Sequence, residues 1–191
     1  MANKPMPTLY IGLGGTGAWT GVHFKHQLYN TYDNRLPDNV NIVVLDTTDR
    51  MNVGVGGTEM IRRPGMGFGR IELSDSEWSH VGGDVYELAL DVANTDRYPH
   101  IQKWFQADRY LKNTSRALFQ LDKGAGQFRQ FGRMALFRDL IAASESRVRQ
   151  VRENKLISLP RNEGGAVAVM RVGSVTGGPV GGGFPDVAHL V

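Results

Sequence analysis

The sequence contains no cysteine, which excludes disulfides, thiolate catalysis and cysteine-based zinc sites. It also lacks any apolar run near the roughly 20 residues that a membrane-spanning helix requires. The N-terminal segment does not resemble a secretory signal, because glycines interrupt its apolar run after about five residues. These absences favour a cytoplasmic protein without a membrane partner.

An excess of one charge is also missing. The chain has 22 basic and 19 acidic residues in 191, a formal net charge of +3, and a length suited to one domain. The densest basic stretch, residues 129–155, is interleaved with acidic residues and is more typical of a solvated helix face than of a nucleic-acid patch. We therefore expect no nucleic-acid partner.

The first third of the chain has a clear secondary-structure pattern. Residues 8–13 form an apolar run that ends in glycine, residues 15–30 have helical spacing, and residues 41–46 are continuously apolar up to an aspartate. An unbroken apolar strand is typical of a parallel sheet that is covered on both faces. The pattern predicts an α/β fold with a doubly wound, mainly parallel sheet and helices on both faces.

Later segments are consistent with this fold. Helical patterns occur at 84–93, 98–119 and 131–155, a strand is predicted at 165–173, and a weaker strand pattern occurs at 58–63. After Pro185 the sequence resembles the start of a helix that the chain does not complete. We expect residues 1–191 to form a single domain that is incomplete at its C-terminus.

A glycine motif, "GLGGTG" at 12–17, lies where the first strand meets the first helix. Glycine allows a close approach of the backbone to phosphate, and the helix N-terminus offers free N–H groups. Taken alone, the motif is compatible with an NAD-dependent oxidoreductase, although Asp46 lies about 30 residues beyond it rather than the usual 20 or so. Asp46 is equally compatible with a helix-capping role.

Two further segments change this interpretation, because one pyrophosphate does not require several glycine loops. "LDTTDR" at 45–50 follows the second strand, and "GAGQFRQFGR" at 124–133 precedes the long helix. Together with "YIGLGGTGAWT" at 10–20, they resemble loops T2, T3 and T1 of the tubulin/FtsZ superfamily, and more closely the bacterial tubulin-like proteins. The T3-like segment keeps the glycine and arginine spacing of FtsZ.

This resemblance implies a cytoskeletal type of GTP-binding domain that holds GTP or GDP, with Mg²⁺ accompanying the triphosphate, and self-association or a tubulin-like partner. Phosphates would be held by backbone N–H groups of 14–17 and 124–126, and Arg133 would lie by the ribose, with Gln130 in place of a glutamate. No catalytic residue and no metal ligand is assigned. The implied nucleotide-binding residues are Gly12, Gly14, Gly15, Thr16, Gly17, Asp46, Thr47, Gly124, Ala125, Gly126, Gln130, Arg133, Gly177, Gly178, Gly181 and Gly182.

The segment "GGPVGGG" at 177–183 occupies the place of loop T4 but departs from the pattern of the superfamily. Pro179 replaces a threonine and has no N–H to donate, and Val180 replaces a glycine and resists positive φ. Each lost bond to phosphate costs about 1.5–3 kcal/mol, so we expect weak nucleotide binding. A protein-interaction module that keeps the loops but binds no nucleotide is the remaining alternative.

Hydrolysis is not expected of this chain alone. In the superfamily, an acidic T7 loop of a second subunit completes the site, and the central helix, T7 loop and C-terminal domain do not occur in these 191 residues. The resemblance therefore implies a GTPase domain that binds nucleotide without turning it over.

Overall fold

A computed structural model describes residues 5–48, 72–122, 124–125, 128–142, 145–161, 165–174 and 186–187. Its sheet has four parallel strands in the order β3-β2-β1-β4, with β1 at Thr8–Leu13, β2 at Val40–Asp46, β3 at Trp78–His80 and β4 at Ala168–Gly173. The predicted parallel α/β sheet is confirmed. Strand β3 has three residues of mixed polarity and was not predicted, since so short a run carries little periodicity.

Helices connect and cover these strands. They are α1 at Gly14–Thr31, α2 at Tyr86–Asn94, α3 at Pro99–Gln102, α4 at Ala107–Asn113, α5 at Arg129–Ile141 and α6 at Arg147–Val151; short 3₁₀ helices occur at Asp75–Glu77 and Arg116–Phe119, and a π-helical segment at Arg152–Ile157.

The two faces of the sheet bury different cores. Tyr10 and Ile42 pack with Val22 of α1 on one face, and Leu9 and Val43 pack with residues of α5 and α6 on the other. A third core, formed by α2, α3, α4 and α5 around fully buried aromatic rings, lies among the helices themselves. Helices therefore cover both faces, as predicted.

Two predicted helices are divided in the structure. The 98–119 pattern is interrupted between α3 and α4 and again at Ser115, whose hydroxyl accepts a hydrogen bond from the Ala117 amide. The 131–155 pattern breaks where Asp139 accepts bonds from the Ser146 hydroxyl at 2.8 Å and the Val148 amide at 3.0 Å. Short polar side chains compete with the helix for backbone groups and end it at these points. The strand pattern at 58–63 lies outside the described residues.

A buried ion pair joins α1 to the segment before β3. Lys25 Nζ lies 2.7 Å from Glu77 Oε2 and donates to the Glu72 carbonyl at 2.9 Å. The Lys25 and Glu77 side chains are only 9% and 7% exposed, so removal of either partner leaves a charge buried without compensation. This contact fixes α1 against the edge of the sheet that carries β3.

Candidate functional site

The strand order places a topological switch point between β1 and β4. From β1 the chain moves outward through β2 to β3, and β4 then pairs on the opposite side of β1. In open α/β sheets, ligands bind outside the carboxyl ends of the strands at such a point. The first candidate position is therefore the turn after Leu13, where β1 ends and α1 begins.

This turn leaves the N-terminus of α1 open. The residue before the helix is Leu13, which has no side-chain oxygen, and within the described chain no side-chain cap bond and no acidic residue occupies the first turn. Gly15 and Thr16 are exposed, and a Cβ added at Gly15 would meet no atom within 4 Å. Within the described ranges, the positive end of this 18-residue helix therefore has no side-chain cap for its first N–H groups, and Gly15 and Thr16 are exposed beside it.

The other glycines of the motif have packing roles. Gly14 turns the chain with φ of 67°. A Cβ at Gly12 would lie 2.7 Å from the Gly17 carbonyl oxygen, and one at Gly17 would lie 2.6 Å from the Val172 oxygen. The Tyr10 hydroxyl also donates to the Gly17 carbonyl at 2.8 Å, and burial raises the pKa of Tyr10, so it stays a neutral donor. These contacts hold α1 directly on β1 and β4.

The end of β2 lies beside this turn, because β2 pairs with β1. Asp46 and Thr47 are buried, and the Asp46 carboxylate accepts the Thr48 amide at 3.1 Å. Burial raises the pKa of Asp46, while the hydrogen bonds from the Thr48 and Thr47 amides and the charge of His80 oppose that rise. The bond to Thr48 is local to the end of β2, and a helix that Asp46 would cap falls on positions outside the described residues.

The T2-like and T3-like segments meet in the structure. The Ala125 amide donates to the Thr47 hydroxyl at 3.2 Å across 78 positions of sequence, and Gly124 has φ of 95°. The Gly124 amide donates to the Leu121 carbonyl at 2.9 Å, so both amides already have partners within the chain. Gly126, the third residue predicted for this loop, lies outside the described residues.

Gln130 and Arg133, predicted for the nucleotide site, contact Trp104, Tyr110 and Asp186 in the structure. The side-chain amide of Gln130 donates from Nε2 to the Trp104 carbonyl at 2.9 Å, and its Oε1 accepts a hydrogen bond from the Tyr110 hydroxyl. Arg133 donates from Nε and Nη2 to the two oxygens of Asp186 at 2.7 and 2.9 Å, and its guanidinium carbon lies 4.4 Å from the centre of the Trp104 ring. These partners were missed from the sequence, since no local pattern connects positions so far apart.

The remaining predicted positions, Gly177, Gly178, Gly181 and Gly182, lie outside the described residues, as do Pro179 and Val180. Within the described ranges, no group of three or more histidine, aspartate or glutamate side chains is arranged to hold a metal ion. Over the same ranges, no helix combines the length and apolarity needed to cross a membrane.

A parallel sheet with helices on both faces and an open glycine turn at its switch point defines an open α/β protein of the doubly wound class. Residues 9–191 match the family described as tubulin like, and the chain belongs to that family. Neither a curated protein nor a solved structure was found to match the chain.

Proposed function

We propose that this tubulin-like protein binds a guanine nucleotide at the carboxyl edge of its sheet, with the phosphates at the N-terminus of α1. The observation that carries the proposal is the uncapped first turn of α1 at the switch point between β1 and β4. Membership of the tubulin-like family supports guanine nucleotide as the ligand class.

The residues at this turn have the chemistry that phosphate requires. The amides of Gly14, Gly15, Thr16 and Gly17 are the four that an α-helix cannot satisfy internally. Gly15 leaves room for an anion to approach the backbone, and the exposed Thr16 hydroxyl can donate to it. Mg²⁺ would be held chiefly by the oxygens of a triphosphate, as it commonly is in nucleotide sites.

The neighbouring loops would complete the site. Asp46 and Thr47 extend it along the end of β2, residues 124–125 adjoin Thr47, and Gly126 and the glycines of 177–183 would supply the rest of the third loop and the fourth. In this proposal, Gln130 and Arg133 act by fixing α5 through Trp104 and Asp186. Self-association, or pairing with a tubulin-like partner, in the cytoplasm is the corresponding assembly.

A charge at position 16 tests the phosphate position. Thr16→Glu places a carboxylate at the N-terminus of α1, where it favours the helix by about 0.3–1 kcal/mol but repels an anion. We expect GDP affinity, measured by calorimetry on the purified chain, to fall at least about tenfold while the melting temperature does not fall. Thr16→Gln, similar in size and uncharged, is the matched control and should retain most of the affinity.

Equal GDP affinity in the Glu and Gln variants would place the phosphates elsewhere. The same titrations with ATP and NAD test the ligand class. Binding of NAD in preference to GTP and GDP would contradict the proposal and favour the dinucleotide interpretation of the glycine motif. A folded chain that binds none of these ligands would favour the interaction module.

A further inference from the structure

The segment that follows β3 connects the two loops beside the proposed nucleotide site. The Val81 amide donates to the Asp46 carbonyl at 2.8 Å, and the Gly83 carbonyl accepts the Leu121 amide at 3.0 Å. Residues 80–85 therefore run between the end of β2 and the turn that leads into Gly124 and Ala125. A side chain of this segment that contacts both the end of β2 and the turn before Gly124 can set the distance between them.

His80 is such a side chain. Its Nε2 atom lies 3.0 Å from the Thr47 carbonyl oxygen and 3.4 Å from Asp122 Oδ1. Both neighbours are acceptors, so this nitrogen carries a proton and donates. Gly82 makes the approach possible, since a Cβ there would lie 2.2 Å from the Thr47 oxygen and 2.3 Å from His80 Nε2.

Thr47 lies between His80 and the T3-like loop and contacts both. Its carbonyl faces His80, its hydroxyl accepts the Ala125 amide at 3.2 Å, and the residue is fully buried. A continuous series of polar contacts thus runs from β3 through the end of β2 to the loop at 124–125. The contact with His80 therefore helps to hold Thr47 beside Ala125.

Charged groups of both signs lie around His80. Asp46 and Asp122 attract an imidazolium, and the Arg138 guanidinium, which donates to the Gly82 carbonyl at 2.9 Å, repels it. The cleft beside His80, about 350 Å³ in volume, is also lined by three further charged residues, Asp139, Glu145 and Arg147. Histidine is the side chain that commonly changes charge between pH 5 and 8, so the contact can respond to pH.

We propose that His80 is a positioning residue that holds the loop after β2 against residues 124–125, and that its protonation strengthens this hold and raises nucleotide affinity. The role in affinity rests on the proposed function. Protonation converts the donation to Thr47 into a charge-assisted bond, which is shorter and stronger than a neutral one, and adds attraction to the Asp122 carboxylate.

Two variants test the positioning role. His80→Ala removes the donor, whereas His80→Gln keeps an N–H donor that does not titrate. We expect His80→Ala to weaken GDP binding roughly three- to tenfold and to accelerate hydrogen exchange of the Ala125 amide. His80→Gln should match the wild type at pH 8 and bind about threefold more weakly than it at pH 6. Comparing variants at one pH removes the titration of GDP itself.

The control is His100→Gln, since His100 packs on Tyr98 and Phe137 and not on these loops; it should follow the wild type. If His80→Ala matches the wild type in both GDP affinity and Ala125 exchange, the positioning role is wrong. If His80→Gln follows the wild type at both pH values, the role of protonation is wrong. Should the wild type bind no GDP, the proposed function fails, and Ala125 exchange alone decides the role of His80.

Discussion

Arg133 uses one edge of its guanidinium to bind Asp186 through two parallel hydrogen bonds, and it stacks on Trp104. Both side chains of the pair are about one-third exposed, so water screens the pair and it contributes only modestly to the free energy of unfolding. Val187, the next residue, is fully buried beneath the sheet. The pair therefore joins α5 to a segment that is already part of the core.

A double-mutant cycle tests this assignment. We expect Arg133→Ala and Asp186→Ala each to lower the free energy of unfolding by about 1 kcal/mol, and the double variant to cost little more than either one. Urea denaturation measures all three. Additive costs would contradict the pairing. Arg133 would instead touch the nucleotide if its loss, but not that of Asp186, lowered GDP affinity.

Burial of the Asp46 side chain opposes ionisation of its carboxyl group. Because burial raises its pKa on folding, the folded state favours the neutral carboxyl, and the cost of the charge is fully present only above the folded pKa. Asp46→Asn keeps an oxygen that can accept the Thr48 amide and removes the charge. We expect this variant to be more stable than the wild type at pH 7.

That difference should shrink as the pH falls through the folded pKa and disappear at about pH 3, below the unfolded pKa of about 3.9, where the carboxyl is neutral in both states. Denaturant titrations of both proteins between these pH values measure it. A wild-type protein as stable as the variant at pH 7 would show that the Thr48 and Thr47 amides and His80 fully offset the burial of the charge.

At the scale of elements, the contact between α1 and the sheet depends on glycine. In Gly17→Ala, the new Cβ would lie 2.6 Å from backbone atoms of Gly12 and Val172, so strand or helix must shift. We expect a loss of about 1–3 kcal/mol in the free energy of unfolding, typical of overpacking. Gly15→Ala, which meets nothing within 4 Å, is the matched control and should not destabilise the fold. A tolerated Gly17→Ala would contradict this packing.

The elements that sequence periodicity predicted well are those whose burial is uniform. Strand β1 is buried throughout, and α1 begins and ends within one residue of its predicted range. Helix ends inside polar stretches were harder to predict. Asp139 accepts hydrogen bonds from residues several positions ahead, and the helix ends there although the apolar periodicity continues. Strand β3 depends on pairing with Val44 and Leu45 rather than on its own three residues.

The candidate site was predictable in part for the same reason. A glycine turn after an apolar strand is a local feature, and Gly14 to Gly17 lie where their pattern placed them. The resemblance implied that the T2-like and T3-like loops line one site, but it did not give the contact between Thr47 and Ala125. The contacts of His80, Gln130 and Arg133 likewise depend on chain segments far apart in sequence. Periodicity carries no information about such pairs.

At the scale of the whole molecule, the strand order brings distant segments to one edge of the sheet. The turn at 14–17 and the loop after β2 lie side by side, and 124–125 contacts the loop after β2 through Thr47. β4, which pairs with β1, ends at Gly173, and "GGPVGGG" follows it in sequence at 177–183. Nucleotide affinity should therefore respond to the number of backbone N–H donors that this last sequence can offer.

Pro179→Thr combined with Val180→Gly restores the superfamily pattern and one N–H donor. One regained bond to phosphate is worth about 1.5–3 kcal/mol, so we expect GDP affinity to rise between about tenfold and a hundredfold. Because a ligand that binds only the folded state stabilises it, the melting temperature with GDP should also rise, while that without GDP should change little. Val180→Gly alone separates backbone freedom from the added donor. Unchanged GDP affinity in the double variant would show that these two residues do not limit binding.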